Sequence, residues 1–340
     1  MEILKVLLRL SICVLVFSCG KHSTGPDTAT RNMEDFEAAW TRVNDVYPFF
    51  EFKKINWDSL YSVYHARVET AEGNEFYGIL NDLLAELKDA HVFYQLPIGG
   101  SIVPWYSPRQ IRDNNAFSLP LVKSYFATEL LATTQGTANY GILQDSIGYI
   151  YLANLQNSDL KNEFSGILAS LQEMKGLILD MRQNSGGSIE NIEVVVGHFL
   201  TSPLPWPKYY ILGELLIMEP LQTHSSLTYT KSVILLINGT VISAGESTSE
   251  ILKQLPQVTA IGDTTTGGGG AASNTSAETA GHFYLPSGIM INIPTGYGLR
   301  YDGQHFEWLG VPPDIRIVQT EADVQGGRDK QLEYAIELLK

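Results

Sequence analysis

The sequence predicts an α/β fold, with a largely parallel sheet in the C-terminal half and a small N-terminal helical bundle before it. Two patterns favour this class. Apolar strands alternate with amphipathic helices after residue 146, and apolar residues recur at helical spacing before residue 88. Size and composition also fit a globular fold. A chain of 340 residues with 44% hydrophobic and 18% charged residues can bury a full core.

The N-terminus is typical of a targeting segment. A weakly basic start leads into an apolar stretch, residues 7–17, that is too short to span a membrane comfortably. Residues 16–20 resemble the lipobox of bacterial lipoproteins, in which the signal is cut before a cysteine that becomes lipidated. We therefore expect a signal peptide at 1–18 and a lipid anchor at Cys19. An ordinary secretory signal is the alternative.

The segments after this signal predict a tether and then a helical domain. Residues 19–31 are small and polar, as in a flexible linker. Apolar residues recur every three or four positions in 33–47, 58–69 and 75–87, which predicts three helices. The N-terminal helical domain is therefore placed at 32–95.

Residues 96–145 predict an irregular connection. Prolines and glycines break any long element, and short strands are expected at 119–125 and 140–143. A connection of about 50 residues is long enough to indicate a functional or packing role. We expect it to line the cleft, with residues 97–105 lining or covering it.

The segment 146–340 predicts an α/β domain. Its apolar strands and amphipathic helices alternate in the manner of a buried, largely parallel sheet. The expected strands are 147–152, 176–181, 233–237 and 258–262, and the expected helices are 159–174, 189–200 and 243–254. Paired strands are expected within 281–293, and a closing helix at 328–340.

The turn around Ser243 is the first candidate site. It follows a buried strand and opens a helix, so its hydroxyl should project from the end of the sheet. The amide of Ala244 points the same way, and the helix N-terminus favours an anion. Serine is also a favoured N-cap residue, so this segment alone leaves a nucleophile and a cap both open.

A second candidate segment follows the strand at 176–181. Gly186 and Gly187 would let backbone amides approach a substrate oxygen, as in an oxyanion hole. The alternative is a tight turn with a structural ion pair between Asp180 and Arg182.

Taken in order, five segments resemble the serine peptidase family of C-terminal processing (tail-specific) proteases and the tricorn core protease. They are residues 177–187, 240–246, 261–267, 285–288 and 307–314. The resemblance covers roughly residues 75–340. It implies a crotonase/ClpP-like α/β core after an N-terminal helical region, and serine chemistry without a metal or other cofactor.

The sequence departs from the processing-protease branch at its catalytic lysine. Gly268 occupies that position, and no lysine lies in the loop around it. The tricorn-like branch uses a histidine and a glutamate, so the resemblance implies Ser243 as nucleophile, His91 as general base and Glu307 as the group that orients it. His305 is the competing candidate for the base.

Two further features of the family are missing. Ala90 stands where tricorn has a serine that relays to the glutamate, so a water molecule or Asp89 would have to bridge instead. Residues 96–145 are too few to hold the PDZ domain of processing proteases, so tail specificity is not expected.

These observations predict a serine-type endopeptidase of the bacterial cell envelope, periplasmic or at the outer membrane, acting on extended or unfolded polypeptides. The amides of Ala244 and of Gly186 or Gly187 would hold the oxyanion. The net charge of −14 argues against a nucleic-acid partner, and membrane contact is expected only through the lipid anchor. A hydrophobic-ligand or peptide binding protein and a small-molecule esterase or amidase are the alternatives.

Overall fold

The structure is a computed structural model that describes residues 28–224, 227–273, 275–277 and 279–340. The predicted signal peptide, Cys19 and the tether as far as residue 27 lie outside the described residues. The last four tether residues, 28–31, are helical, which corrects the predicted boundary. No proline or glycine interrupts the chain from 28 to 47, so nothing prevents the helix from starting early.

The helices are α1 Thr28–Val46, α2 Phe50–Lys53, α3 Asp58–Glu69, α4 Glu75–Ala85, α5 Pro108–Asp113, α6 Leu119–Lys123, α7 Asp159–Ser170, α8 Ile189–Gly197, α9 Ala244–Leu252, α10 Glu321–Gln325 and α11 Lys330–Leu338. The strands are β1 Phe93–Gln95, β2 Ser101–Ile102, β3 Leu131–Ala132, β4 Ala138–Leu143, β5 Ile147–Leu152, β6 Leu177–Asp180, β7 Lys208–Ile211, β8 Glu214–Leu216, β9 Val233–Ile237, β10 Val258–Gly262, β11 Gly270–Ala271, β12 His282–Tyr284, β13 Met290–Asn292, β14 Gly296–Leu299 and β15 Ile315–Arg316.

A seven-stranded sheet forms the centre of the molecule, in the order β15-β10-β9-β6-β5-β4-β3. Strands β5, β6, β9, β10 and β15 are parallel, and β3 and β4 complete one edge in antiparallel pairing. The side chains of β6 alternate between the two faces. Leu177 and Leu179 pack in the cluster that includes α7, α8 and α9, while Ile178 packs with α6 and α11. The predicted α/β class is confirmed.

The N-terminal helical region is also confirmed, but it holds a helix that the sequence pattern did not indicate. Helix α2 lies between α1 and α3, and it is followed by Lys54 in a left-handed conformation with φ 56°. A helix of four residues is too short to show a 3.6-residue period. The core of this region is aromatic, with Trp40 stacked on Trp57 at 4.4 Å between ring centroids.

A small sheet, β12-β13-β1-β2, joins the helical region to the C-terminal half. Strand β1 pairs antiparallel with β13, so that Phe93 lies opposite Asn292. The predicted paired strands within 281–293 are β12 and β13. This pairing holds His91, two residues before β1, beside elements from the far end of the chain. Strands β11, β14, β7 and β8 form a third sheet in that order, and β14 follows β13 along the chain.

The connection at 96–145 differs from its prediction in two respects. The expected strand at 119–125 is helix α6, because Ser118 accepts the amide of Leu121 as an N-cap and Pro120 suits the first turn. The expected strand at 140–143 is the end of β4, so the central sheet begins before residue 146.

The pair of Asp180 and Arg182 has the structural role that the sequence left open. Both side chains are buried, and Arg182 binds both carboxylate oxygens of Asp180 at 2.6 and 2.9 Å. Its remaining nitrogen lies 2.7 Å from Asp329, the N-cap of α11. The pair therefore fastens the closing helix to the sheet. None of the helices in the described ranges is long and apolar enough to cross a membrane.

Candidate active site

Ser243 lies in a strained turn between β9 and α9. Its backbone has φ 60° and ψ −127°, a combination that glycine adopts far more readily than serine. The amide of Ile242 donates to the carbonyl of Asn184 at 3.1 Å, which ties this turn to the one that follows β6. Parallel strands β6 and β9 are neighbours, so both turns leave the sheet at the same edge.

The buried carboxylate of Glu246 holds the Ser243 turn against residues 267–270, which we call the glycine-rich loop. One oxygen accepts the amides of Ser243 at 3.2 Å and Gly268 at 2.8 Å. The other accepts the Thr265 hydroxyl at 2.6 Å and the amide of Gly267 at 2.8 Å. Burial raises the pKa of Glu246 to about 7, although these four hydrogen bonds act in the opposite direction. Glu246 therefore fixes the Ser243 turn against the glycine-rich loop through these hydrogen bonds.

The two glycines after β6 approach the Ser243 turn very closely. A Cβ atom added to Gly186 would lie 2.8 Å from Cβ of Ser243 and 3.1 Å from the nitrogen of Ala244. The amide of Gly186 is already donated to Oδ1 of Asn184 at 2.9 Å. Within the described part of the chain, the amides of Gly187 and Ala244 donate no hydrogen bond. Of the predicted oxyanion donors, Ala244 and Gly187 are thus the pair with free amides.

A cavity of about 180 Å³ opens beside Ser243. Its walls include the backbone of Gly187, Ala244 and residues 268–272. The side chains that line it are mostly apolar, and no lining residue in the described ranges carries a charge. They include Ile192, Trp206, Tyr209, Ile211, Met218 and Phe306. No residue of 96–145 lines this cavity, which corrects the expectation that the connection would do so.

The ring of His91 is buried against the glycine-rich loop that borders the cavity. Cβ atoms added to Gly268 and Gly270 would lie 3.0 Å from its Cε1 and 3.3 Å from its Nδ1. Neither ring nitrogen has a hydrogen-bond partner among the described residues. Burial lowers the pKa of His91, so the ring favours the neutral form that a general base needs.

Glu307 lies behind the same loop and is completely buried. Its Oε2 accepts the amide of Gly269 at 2.8 Å, and its Oε1 lies 2.6 Å from Nζ of Lys53. No hydrogen bond joins it to His91 in the described residues. Burial, followed by the negative charge of Asp89, raises the pKa of Glu307 to about 8, against the attraction of Lys53. Within the described residues, Glu307 is thus linked to His91 only through neighbouring groups.

Asp89, one of the two groups expected to bridge in place of the relay serine, contacts the backbone of His91 but neither of its ring nitrogens. Its Oδ1 accepts the backbone amide of His91 at 2.8 Å, and its Oδ2 accepts the Tyr47 hydroxyl at 2.8 Å and lies 3.1 Å from Nζ of Lys53. Burial acts to raise the pKa of Asp89, but Lys53, His91 and Tyr47 outweigh it and lower that pKa.

Sequence reasoning missed Lys53 altogether. Lysine is rarely buried, and Lys53 is followed directly by exposed Lys54, so no local signal in the sequence marks Lys53 as a buried group. His305, the alternative base, packs among aromatic rings instead of lining the cavity, with its ring centroid 4.4 Å from that of Phe52. Burial lowers the pKa of His305 as well. The described residues contain no cluster of histidine, cysteine or acidic side chains that could hold a metal ion.

Comparison with known proteins gives matches to two family models. Residues 146–317 match peptidase family S41, and residues 29–85 match the C1 domain of tricorn protease. The carboxy-terminal processing protease CtpB of Bacillus subtilis (strain 168) is 29% identical over 180 residues. That match covers 52% of this chain and 35% of CtpB, so it spans about a third of the relative's length.

Two solved structures are similar over most of the chain. A candidate peptidase from Parabacteroides merdae ATCC 43184 has 28% identity and a TM-score of 0.77, covering 91% of this chain and 96% of its own. Tricorn protease has 16% identity and a TM-score of 0.60, covering 92% of this chain and 36% of its own, and shows the fold alone.

The fold and the Ser243 turn thus define the class, which is an α/β domain of the serine-peptidase type behind a helical N-terminal region. Because the family match covers more than half of the sequence, the chain belongs to peptidase family S41, a family of serine-type peptidases. The resemblance seen in the sequence is confirmed.

Proposed function

We propose that the protein is a serine endopeptidase that hydrolyses peptide bonds in extended or unfolded polypeptides. The observation that carries this proposal is the Ser243 turn. A strained serine, two backbone amides that donate no hydrogen bond among the described residues and an open cavity lie together at the edge of the sheet, where the resemblance seen in the sequence implies the nucleophile. Membership of peptidase family S41 supports the same chemistry.

The proposed reaction uses Ser243 as nucleophile and His91 as base. Oγ of Ser243 attacks the peptide carbonyl while its proton passes to the neutral imidazole. The amides of Ala244 and Gly187 hold the oxyanion of the tetrahedral intermediate, and the loss of one such donor typically costs about 3–4 kcal/mol. His91 then protonates the leaving amine, and water hydrolyses the acyl-enzyme. Glu307 acts on this base through Lys53, Asp89 and the glycine-rich loop.

The cavity supports a preference for apolar substrate side chains. Its side-chain walls are aliphatic and aromatic, and its volume of about 180 Å³ suits one large apolar side chain. A substrate whose carbonyl reaches the amides of Gly187 and Ala244 would place a neighbouring side chain there. We propose that this side chain belongs to P1, the residue on the N-terminal side of the cleaved bond.

The proposed location is the bacterial cell envelope, with the chain anchored by a lipid on Cys19. Residues 16–20 support it through their likeness to a lipobox. Incorporation of labelled palmitate into the full chain and its recovery in the membrane fraction would support the anchor. Secretion of an unlabelled chain, indistinguishable from Cys19→Ala, would favour an ordinary signal peptide.

The reaction is tested with a fluorophosphonate probe on the purified chain, read by intact mass and peptide mapping. We expect a single adduct on Ser243, which is lost together with casein cleavage in Ser243→Ala and His91→Ala. His305→Ala serves as the matched control for the base and should keep both activities. A folded chain with no adduct and no cleavage would favour a binding protein. An adduct with cleavage of small esters alone would favour an esterase or amidase.

A further inference from the structure

Three buried ionisable side chains form a cluster behind the candidate base. Lys53 comes from α2, Asp89 from the turn before β1, and Glu307 from the segment after β14. All three side chains are completely shielded from solvent. Nζ of Lys53 lies 2.6 Å from Glu307 and 3.1 Å from Asp89, so one ammonium group joins two carboxyl groups that belong to different parts of the chain.

Lys53 has more oxygen partners than neutralising a single carboxylate would require. Its Nζ also donates to the Tyr47 hydroxyl at 2.8 Å and to the carbonyls of Leu87 and Lys88 at 3.0 and 3.1 Å. The rings of Tyr47, Phe49 and Trp308 lie within 5.2 to 5.5 Å of it. The two carbonyls directly precede Asp89. Lys53 therefore holds the backbone of the turn that carries His91 as well as its carboxylate.

The two carboxyl groups of the cluster hold the two segments that enclose the His91 ring. Asp89 accepts the backbone amide of His91 at 2.8 Å. Glu307 accepts the amide of Gly269, which lies between the two glycines, 268 and 270, that touch the ring. The ring nitrogens have no hydrogen-bond partner in the described residues, so the ring is held by this packing. A change in the relative position of the two segments would move the ring.

We propose that Lys53 is a positioning residue for the reaction. By binding Asp89 and Glu307 together, it fixes the turn before β1 against the glycine-rich loop and so holds the His91 ring beside the cavity that Ser243 lines. This inference rests on the proposed function, because it gives Lys53 a role only if His91 is the base.

The test compares Lys53→Met with Lys54→Met, which removes the same charge from the neighbouring exposed residue. We expect the rate of Ser243 acylation by the fluorophosphonate and kcat for casein peptides to fall about 10²-fold in Lys53→Met, the scale of a misplacement of about 1 Å. KM should change little, and Lys54→Met should behave like the wild type. Equal rates in both variants would overturn the proposal.

A pH profile separates positioning from a purely structural role. The groups that face His91 are Asp89, which raises its pKa, and Lys53, which lowers it. Glu307 and Tyr47 face Lys53 in turn. Without the Lys53 charge, the base should hold its proton to higher pH, so the acid limb of kcat/KM should move upward. A variant that was only less stable would keep the wild-type limb, and that result would contradict the proposal.

A double variant covers the case in which Lys53→Met fails to fold. Lys53→Met/Glu307→Gln removes both members of the closest pair, so Glu307 is not left as a buried carboxyl group without Lys53, and Asp89 keeps its bonds to Tyr47 and to the His91 amide. If Lys53 acts through Glu307, the double variant should be no slower than Glu307→Gln alone. A double variant that is slower than Glu307→Gln would show that Lys53 acts independently of Glu307, and that result would overturn the proposal. Absence of any adduct on wild-type Ser243 would instead remove the proposed function, and the Lys53 inference with it.

Discussion

The conformation of Ser243 shows how the site stores strain at a single residue. A non-glycine residue at φ 60° and ψ −127° costs about 1–3 kcal/mol relative to an ordinary conformation. The turn is held by the carboxylate of Glu246 on one side and by the carbonyl of Asn184 on the other. The strain is thus balanced by neighbours that lie outside the turn, and it places a hydroxyl where a substrate can reach it.

Ser243→Gly should therefore be more stable than Ser243→Ala. Glycine relieves the backbone strain but gains freedom in the unfolded chain, and the difference should favour the glycine variant by about 1 kcal/mol in the free energy of unfolding. Urea denaturation of the two variants measures it. Both variants lack the hydroxyl, so the comparison isolates the Cβ atom, and an alanine variant of equal or greater stability would show that the turn is unstrained.

The burial of His91 predicts the pH dependence of activity. Its pKa is lowered from the usual value of about 6.5, chiefly by burial, so the base stays neutral and active below that pH. The acid limb of kcat/KM should fall below pH 6.5. Asp89 raises the pKa of His91, so Asp89→Asn should move the limb lower still, whatever its effect on kcat. A limb at or above pH 6.5 in the wild type would contradict this assignment.

At the scale of elements, the site depends on two turns that leave neighbouring parallel strands and touch. The turn after β6 contains Gly186 at φ 80°, with its Cα hydrogen directed at the Ser243 turn. A Cβ there would meet the Cβ of Ser243 at 2.8 Å and the carbonyl of Ile242 at 2.9 Å. Both obstacles belong to the strained turn itself, so neither can move without moving the nucleophile.

Gly186→Ala should abolish acylation of Ser243 by the fluorophosphonate. Gly303→Ala is the matched control, because Gly303 has the same φ of 80° but nothing within 4 Å of the added Cβ. The control should lose about 1–2 kcal/mol of stability from backbone strain and keep its labelling rate. The rate of fluorophosphonate labelling measures the effect of each variant on acylation, and a thermal melt measures its effect on stability. Normal labelling of Gly186→Ala would mean that the two turns can separate.

The elements that the sequence predicted well are those whose pattern reflects burial alone. Strands β5, β9 and β10 were expected at their observed bounds. A short, continuous apolar run between turn residues is typical of a buried strand. Helix α6 was expected as a strand, since its apolar residues suit either element. There the local hydrogen bond from Leu121 to Ser118 decided the outcome.

The candidate site was predictable to the extent that it follows from sequence order. Ser243, Ala244 and Gly187 lie where the strand ends placed them, and the structure brings them to one cavity. Which glycine amide stays free could not be foreseen, because it depends on the side chain of Asn184 turning back to Gly186. The contact of Lys53 with Glu307 is also a product of tertiary packing, which no local pattern records.

At the scale of the whole molecule, the site joins parts of the chain that are far apart in sequence. The helical region provides Lys53 and the turn that carries His91, the central sheet provides the Ser243 turn, and the segment after β14 provides Glu307. The antiparallel pairing of β1 with β13 brings the first and last of these together. Because the helical region and the central sheet pack in different core clusters, the site can form only when these two parts have docked.

The third sheet contributes the wall of the cavity and predicts the substrate preference. Met218, which follows β8, lines the cavity and is half-buried, whereas the adjacent Ile217 is 87% exposed and does not line it. On a peptide series varied at P1, the wild type should prefer large apolar residues. Met218→Lys should lower kcat/KM for these peptides by at least about 10-fold, the lower end of what a mismatch of one methylene costs in a hydrophobic pocket, and favour an acidic P1 residue. Ile217→Lys is the matched control and should keep the wild-type order. An unchanged order in both variants, with Ser243 still labelled by the fluorophosphonate, would show that P1 binds elsewhere.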